Sequence, residues 1–173
     1  VATLFAGLCG NLLGEFLRTG HLTGLLLLVG EALVVVFTCV RRPAIDVDRS
    51  AAAAAVTFVS VVGPLLIRAG DQAAVLNDTA TTALTACGLA VVVGAKLTLG
   101  RSFGLVPANR GVVDRGPYAA VRHPIYAGYL LSHVGFVLAH PSPWNLSVLA
   151  VADGALMMRA LLEERVLLHD ERY

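Results

Sequence analysis

The sequence predicts an all-α integral membrane protein, a helical bundle of about six transmembrane helices (five to six). Hydrophobic residues make up 57% of the 173-residue chain and charged residues only 14%, whereas soluble domains carry about 25% charged residues. The mean hydropathy is strongly positive, at +0.75. Apolar runs recur along the chain, and most of them approach the roughly 20 residues that a helix needs to cross a bilayer.

No linker or repeat divides the chain, so we expect one domain over residues 1–173. Its N-terminal helices occupy residues 1–98, and residues 99–173 hold a polar motif region and a last helix pair. The formal net charge of +1 gives no electrostatic reason to expect nucleic acid. The three cysteines are far apart and form no Cys-x-x-Cys pattern, so the sequence predicts no metal site.

The first two predicted spans are residues 1–17 and 22–40. The first lacks the basic start of a signal peptide and is followed by further spans, so we interpret it as a retained helix. The second ends at two arginines and a proline. Glu31 lies inside it, and because an acid within a bilayer is costly, this side chain should face the bundle interior. A structural hydrogen bond and a place in the wall of a polar cavity both fit Glu31.

The third and fourth spans are residues 51–67 and 80–97, with a polar loop between them. Gly63 and Pro64 predict a kink in the third. The fifth and sixth spans, residues 125–139 and 144–162, form a closing pair joined by a short turn that contains two prolines.

The arginines predict the orientation of the bundle. They concentrate in the second and fourth connections, whereas the first and third hold about one each. With six crossings, the second and fourth connections and the C-terminus share one face, and the positive-inside tendency makes that face cytoplasmic. The motif region in the fourth connection therefore opens to the compartment that holds soluble, charged cofactors.

Residues 110–128 form the longest polar interruption of the chain, with two prolines, three glycines, three arginines, two tyrosines and a histidine. Pro124 should begin the next helix, since proline is favoured at the first helical position. His123, directly before it, could cap this helix or contact a ligand. Tyr118 and Tyr126 suit either a membrane interface or the face of a cationic or aromatic ligand.

Arg159 and Glu163 lie four residues apart near the end of the last span and thus on one helical face. An exposed ion pair at a helix end would account for both. However, Arg159 lies nearly a turn inside the apolar residues 155–162, where an unpaired arginine would be expensive. We therefore expect a partner or an anionic ligand for it.

One combination of motifs occurs in the last third of the chain, from about Leu99 onward. Its residues are Val112-Val113, Gly116-Pro117-Tyr118, Arg122-His123-Pro124-Ile125-Tyr126, Gly128, Arg159 and Glu163-Glu164. In order and spacing, these motifs resemble the isoprenylcysteine carboxyl methyltransferase family and its phospholipid-methylating relatives.

The resemblance implies an integral membrane methyltransferase that uses S-adenosyl-L-methionine. Its substrate would be a lipophilic small molecule or lipid-modified acceptor, methylated at a carboxyl group or another nucleophile. The resemblance implies cofactor contacts at Val113, Tyr118, His123, Pro124, Tyr126, Glu163 and Glu164. In the prenylcysteine branch, an arginine four residues before the glutamate faces the substrate carboxylate. Arg159 holds that place, which implies that it orients the substrate.

Two other functions fit the same features. Sterol and steroid reductases of membranes share a similar C-terminal arrangement and bind NADPH, and a small transporter or membrane scaffold could use the polar loop as a gate. Among methyl acceptors, a carboxylate, an amine, a thiol and a phenol all fit the sequence. The sequence carries no signal for an oligomeric state.

Overall fold

The structure is a computed structural model that describes residues 2–20, 26–29, 42–70, 72–168 and 170. Most of these residues are helical. The helices are α1 (Ala2–Thr19), α2 (Ala51–Val62), α3 (Asp78–Leu99), α4 (Pro124–Ala139) and α5 (Pro143–Leu167), and residues 26–29 are helical as well. The predicted helical fold is thus confirmed. Most of the predicted second span, including Glu31, lies outside the described residues.

Local chemistry sets several helix ends. The side chains of Ser50, Asn77 and Ser142 accept hydrogen bonds from backbone N–H groups in the first turns of α2, α3 and α5, and such a cap contributes about 1 kcal/mol. Pro124 begins α4 as predicted. The predicted kink coincides with a change of helix type, because α2 passes into a 3-10 turn at Gly63–Leu66.

Two helices in the described part of the chain are long and apolar enough to cross a bilayer. They are Asp78–Ser102, which includes a short 3-10 extension of α3, and Pro143–Leu167. Ala51–Leu66 and Pro124–Ala139 are apolar but shorter. Many large apolar side chains on these helices are exposed, among them Phe58, Leu97 and Leu161.

Helices α3 and α4 approach closely along a line of small residues. A Cβ atom added to Gly88 would lie 2.6 Å from the carbonyl oxygen of Gly128, and one added to Gly128 would lie 2.7 Å from the carbonyl oxygen of Gly88. Gly135 faces Thr85 in the same way, at 2.9 Å from its backbone nitrogen. The two backbones therefore touch, as small residues allow in membrane helix pairs.

Gly88→Leu is therefore expected to force α3 and α4 apart and to destabilise the protein by about 1–3 kcal/mol, the usual cost of overpacking. Gly94→Leu, on the same helix, is the matched control, because a Cβ atom there meets nothing within 4 Å. Thermal unfolding of both detergent-purified variants checks this prediction. Equal stability of the two variants would contradict the close packing of α3 on α4.

Two short strands join the arginine-rich connections. Strand β1 (Asp46–Val47) pairs antiparallel with β2 (Ala108–Asn109), with Asp46 opposite Asn109. The Asn109 side chain also donates a hydrogen bond to Asp170 Oδ2 at 2.7 Å. The second connection, the fourth connection and the C-terminal region thus lie together beside the motif loop.

Candidate cofactor and substrate site

A cavity of about 230 Å³ lies where the loop after α3 meets the start of α4 and the last turns of α5. We call it the large cavity. Its lining residues are Leu99, Ser102, Phe103, Gly104, Ala108, residues 110–114, Tyr118, Arg122, His123, Ile125, Tyr126, Arg159, Glu163 and Leu167. Apolar side chains alternate with carboxylate, guanidinium, phenol and imidazole groups, so the cavity can hold a molecule with both polar and apolar parts.

Hydrogen bonds hold the loop that forms one wall. Ser102 Oγ donates to the backbone oxygen of Arg110 at 3.1 Å, and the N–H of Gly111 donates to Asn109 Oδ1 at 2.8 Å. Gly111 has a φ of 97°, which favours glycine because other residues are strained there. Gly104 leaves room for the Arg110 guanidinium, which would overlap an added Cβ atom. The backbone of residues 111–114 is thereby fixed along the cavity.

Tyr118 enters the cavity from the 3-10 turn Gly116–Ala119. Gly116 has a φ of 58°, and a Cβ atom there would lie 3.0 Å from Thr98 Oγ1 on α3. Burial and the nearby Glu163 carboxylate raise the pKa of Tyr118. The phenol therefore stays neutral at physiological pH and keeps its hydrogen for donation.

A chain of hydrogen bonds joins α4 to α5 at the cavity. Tyr126 Oη donates to Glu163 Oε2 at 2.5 Å, and Arg159 Nε donates to Tyr126 Oη at 3.2 Å. Arg159 also lies over the Tyr126 ring, 5.1 Å from its centroid, and its Nη1 is 3.4 Å from Ser60 Oγ on α2. Arg159 is only 6% exposed, so the interpretation of Arg159 and Glu163 as an exposed ion pair at a helix end is wrong. The partners that its burial predicted are Tyr126 and Ser60.

His123 lines the cavity rather than capping α4, because its side chain makes no cap hydrogen bond. The ring stacks on Tyr126, with 5.2 Å between centroids and 9° between planes. Its Nε2 lies 3.1 Å from Glu164 Oε1, which is also 3.7 Å from Arg122 Nη1. Glu164 thus fixes the position of the imidazole.

The structure brings most of the predicted site residues together. Six of them line the large cavity: Val113, Tyr118, His123, Tyr126, Arg159 and Glu163. The other two, Pro124 and Glu164, do not line it. Pro124 is the buried first residue of α4, and Glu164 contacts two residues that line the cavity, His123 and Arg122. Contact with the cofactor stays a prediction for all seven residues to which the resemblance assigns it, and contact with the substrate stays a prediction for Arg159.

A second, smaller cavity of about 30 Å³ lies deeper between the helices and shares Phe103, Ile125 and Arg159 with the large cavity. His133 of α4 and Asp153 of α5 both line it. The sequence analysis did not single them out. A signal was present, because each lies inside a predicted span, and the rule that drew attention to Glu31 applies equally to them.

Comparison with known proteins supplies one match. Residues 78–170, more than half of the chain, match the family model described as phospholipid methyltransferase. The matched segment begins at the first residue of α3 and contains every residue that lines the large cavity. No curated protein and no solved structure matches the chain.

Proposed function

We propose that this chain, which belongs to the phospholipid methyltransferase family, transfers a methyl group from S-adenosylmethionine to a lipophilic acceptor. Membership makes the protein a membrane methyltransferase and favours methyl transfer over the reductase and transporter alternatives. The observation that carries the proposal is the large cavity, where Tyr118, His123, Tyr126, Arg159 and Glu163 meet although they come from separate parts of the chain.

The residues of the large cavity fit the chemical groups of S-adenosylmethionine. The Glu163 carboxylate suits its ammonium group or its ribose hydroxyls, and the neutral Tyr118 phenol can donate to a ring nitrogen or a carboxylate. Backbone groups near Val113 suit the adenine edge. When bound, this cofactor supplies a methyl group on a positively charged sulfur. The protein would hold it, align the acceptor and exclude water.

Arg159 is the proposed substrate-orienting residue. It lies in the wall shared by the two cavities, one helical turn deeper along α5 than Glu163. A buried guanidinium with five donors suits a carboxylate or a phosphate. It donates hydrogen bonds to two hydroxyl oxygens, from Tyr126 and Ser60. We propose that it binds an anionic group of the acceptor.

The proposed membrane arrangement is a single domain of six spans, with the motif loop and the C-terminus in the cytoplasm. The helices that are long enough to cross a bilayer and the apolar side chains exposed on them support it. The cofactor would then approach from the aqueous end of the bundle. A lipophilic acceptor would approach from the bilayer, between helices.

S-adenosylhomocysteine, the demethylated cofactor, is expected to stabilise the detergent-purified protein against heat. At a hundred times its Kd, a ligand of the folded state adds about 2.7 kcal/mol to the free energy of unfolding. NADPH at the same concentration should have no effect. Calorimetric titration that detects no binding of either S-adenosylmethionine or S-adenosylhomocysteine would overturn the proposed function, and stabilisation by NADPH alone would favour a reductase.

A further inference from the structure

The small cavity contains a buried imidazole with one nitrogen engaged and the other available. His133 is 4% exposed, and its Nδ1 lies 2.7 Å from Asp153 Oδ1. Within the part of the chain that the structure describes, Nε2 of this ring has no hydrogen-bond partner. His133 lines the small cavity, and ionisable side chains inside membrane-spanning segments are costly and indicate function, so an available Nε2 at this place indicates a ligand or a proton.

The Asp153 carboxylate determines which nitrogen of His133 carries the hydrogen. An ionised carboxylate can only accept, so Nδ1 of the neutral ring must donate to it. Nε2 then has a free lone pair. If Nε2 takes up a proton, the resulting imidazolium is stabilised by the carboxylate 2.7 Å away. The geometry therefore presents Nε2 as an acceptor, with the carboxylate at the opposite nitrogen of the ring.

The position of the pair connects it to the proposed chemistry. The small cavity shares Arg159 with the large cavity, and its volume of about 30 Å³ is room for about two groups of the size of a water molecule. Arg159 and His133 both line this cavity, so an amine nitrogen that enters it from the large cavity comes within reach of both side chains.

We infer that His133, held by Asp153, accepts the proton that the methyl acceptor loses. This inference rests on the proposed function and deepens it, because it restricts the acceptor to one whose nucleophilic atom carries a proton, with an amine as the class to test. A carboxylate acceptor has no proton to lose and needs no such group. The anionic group that Arg159 binds and the nucleophile are then different parts of one acceptor.

The proton balance of the step is simple. The acceptor amine, which is an ammonium near neutral pH, first gives one N–H proton to His133 Nε2. The lone pair thus freed on its nitrogen forms the new bond to the methyl carbon, and the electrons of the broken carbon–sulfur bond stay on sulfur, which becomes neutral. The product is the methylated ammonium, and the imidazolium of His133 later releases its proton to water through the large cavity.

Other titratable groups around His133 come from three helices. Arg159 lies on α5 with Asp153, and Tyr129 of α4 stacks near the His133 ring, 6.0 Å between centroids. Lys96 of α3 is fully buried and donates to Tyr129 Oη at 2.7 Å. The helices packed around the pair thus contribute two cationic side chains, Arg159 and Lys96, and Asp153 is the anion in direct contact with the ring.

The test uses the whole protein in lipid nanodiscs, with dodecylamine and dodecanoate as probe acceptors. His133→Gln removes the proton-accepting nitrogen. His140→Gln is the matched control, since His140 is a buried histidine at the end of the same helix and lines neither cavity. Calorimetry with S-adenosylhomocysteine is run first on all three proteins, and similar affinities show that the donor site is intact.

Two measurements then test whether His133 accepts the proton of the methyl acceptor. In protein labelled with 15N-histidine and loaded with S-adenosylhomocysteine, dodecylamine should shift the His133 signal, which His133→Gln identifies, and dodecanoate should leave it unchanged. In turnover assays on dodecylamine, His133→Gln should lower kcat by about 100- to 10,000-fold, the range of general base catalysis. It should also abolish a rise of kcat with pH that the wild type and His140→Gln show.

The inference is overturned if dodecylamine does not shift the His133 signal, if His133→Gln keeps the kcat and pH profile of the wild type, or if dodecanoate is the better acceptor. Each of these results leaves the proposed function standing as long as S-adenosylhomocysteine binds. Loss of S-adenosylhomocysteine binding in the wild type would instead overturn the proposed function itself.

Discussion

Replacing Arg159 with alanine is expected to lower kcat/KM for an anionic lipophilic acceptor by about 30- to 5,000-fold. Truncating one partner of a buried, hydrogen-bonded charge pair costs about 2–5 kcal/mol, and the proposed pair is the Arg159 guanidinium with the anionic group of the acceptor. Affinity for S-adenosylhomocysteine should change less than about threefold, because Tyr126 can still donate its hydrogen bond to Glu163 when the Arg159 side chain is removed.

Arg159→Lys separates charge from geometry. The lysine keeps a positive charge but loses the planar fork that binds a carboxylate or phosphate through two hydrogen bonds. We expect an activity between those of the wild type and the alanine variant. A lipophilic acceptor without an anionic group is the matched substrate control, and its kcat/KM should fall much less in both variants.

Acceptor titrations paired with donor titrations on the same purified proteins check this prediction. If donor affinity collapses and turnover merely follows it, Arg159 belongs to the cofactor site. If all acceptors lose activity equally, the guanidinium supports the helices through Tyr126 and Ser60 rather than binding substrate. Either result contradicts the substrate-orienting role.

The helices could be predicted because their signals are local. Apolar runs locate α2 to α5 within a few residues, and Pro124 and the Gly63–Pro64 pair mark a start and a kink that follow from missing backbone donors. The strands β1 and β2 could not be predicted. Two residues carry no periodicity, and their pairing depends on how the helices bring distant connections together.

The candidate site shows the same division. The position of Arg159 and Glu163 on one helical face could be predicted from the sequence, because the geometry of a helix fixes it. Contacts between helices could not be predicted, because they form only when α2, α4 and α5 pack together. The contacts of Tyr126 with Glu163 and of Ser60 with Arg159 are examples. For the gathering of the motif loop residues around one cavity, the sequence offered only the family resemblance.

His133 and Asp153 could have been identified from the sequence as candidate functional residues. Ionisable side chains inside predicted spans are costly and indicate function, and this applies to both of them as it does to Glu31. Neither residue belongs to the motifs that carry the resemblance, so attention to those motifs left them out. Their pairing across α4 and α5 is a result of the structure alone.

Glu163→Gln is expected to weaken binding of S-adenosylhomocysteine by about 10- to 150-fold, the equivalent of the 1.5–3 kcal/mol that a hydrogen bond to a charged group contributes. Glutamine keeps the size of the side chain and an oxygen that can accept from Tyr126, so the link between α4 and α5 should persist. Only the negative charge that faces the cavity is lost.

The neighbouring residue supplies the control for charge alone. Glu164→Gln removes the same charge one residue away, from a side chain that contacts His123 and Arg122 and does not line the large cavity. Its effect on affinity should be clearly smaller. Equal losses in the two variants would mean that Glu163 acts through the general electrostatic field and makes no direct contact with the cofactor.

An analogue of S-adenosylhomocysteine without its amino group identifies the partner of Glu163. If the carboxylate binds the ammonium, the analogue should bind the wild type and Glu163→Gln equally weakly, because the contact is already missing. If the variant still loses affinity for the analogue, the carboxylate binds the ribose hydroxyls instead. Unchanged affinity of Glu163→Gln for both compounds, with the fold intact, would remove Glu163 from the cofactor site and leave it as a structural acceptor for Tyr126.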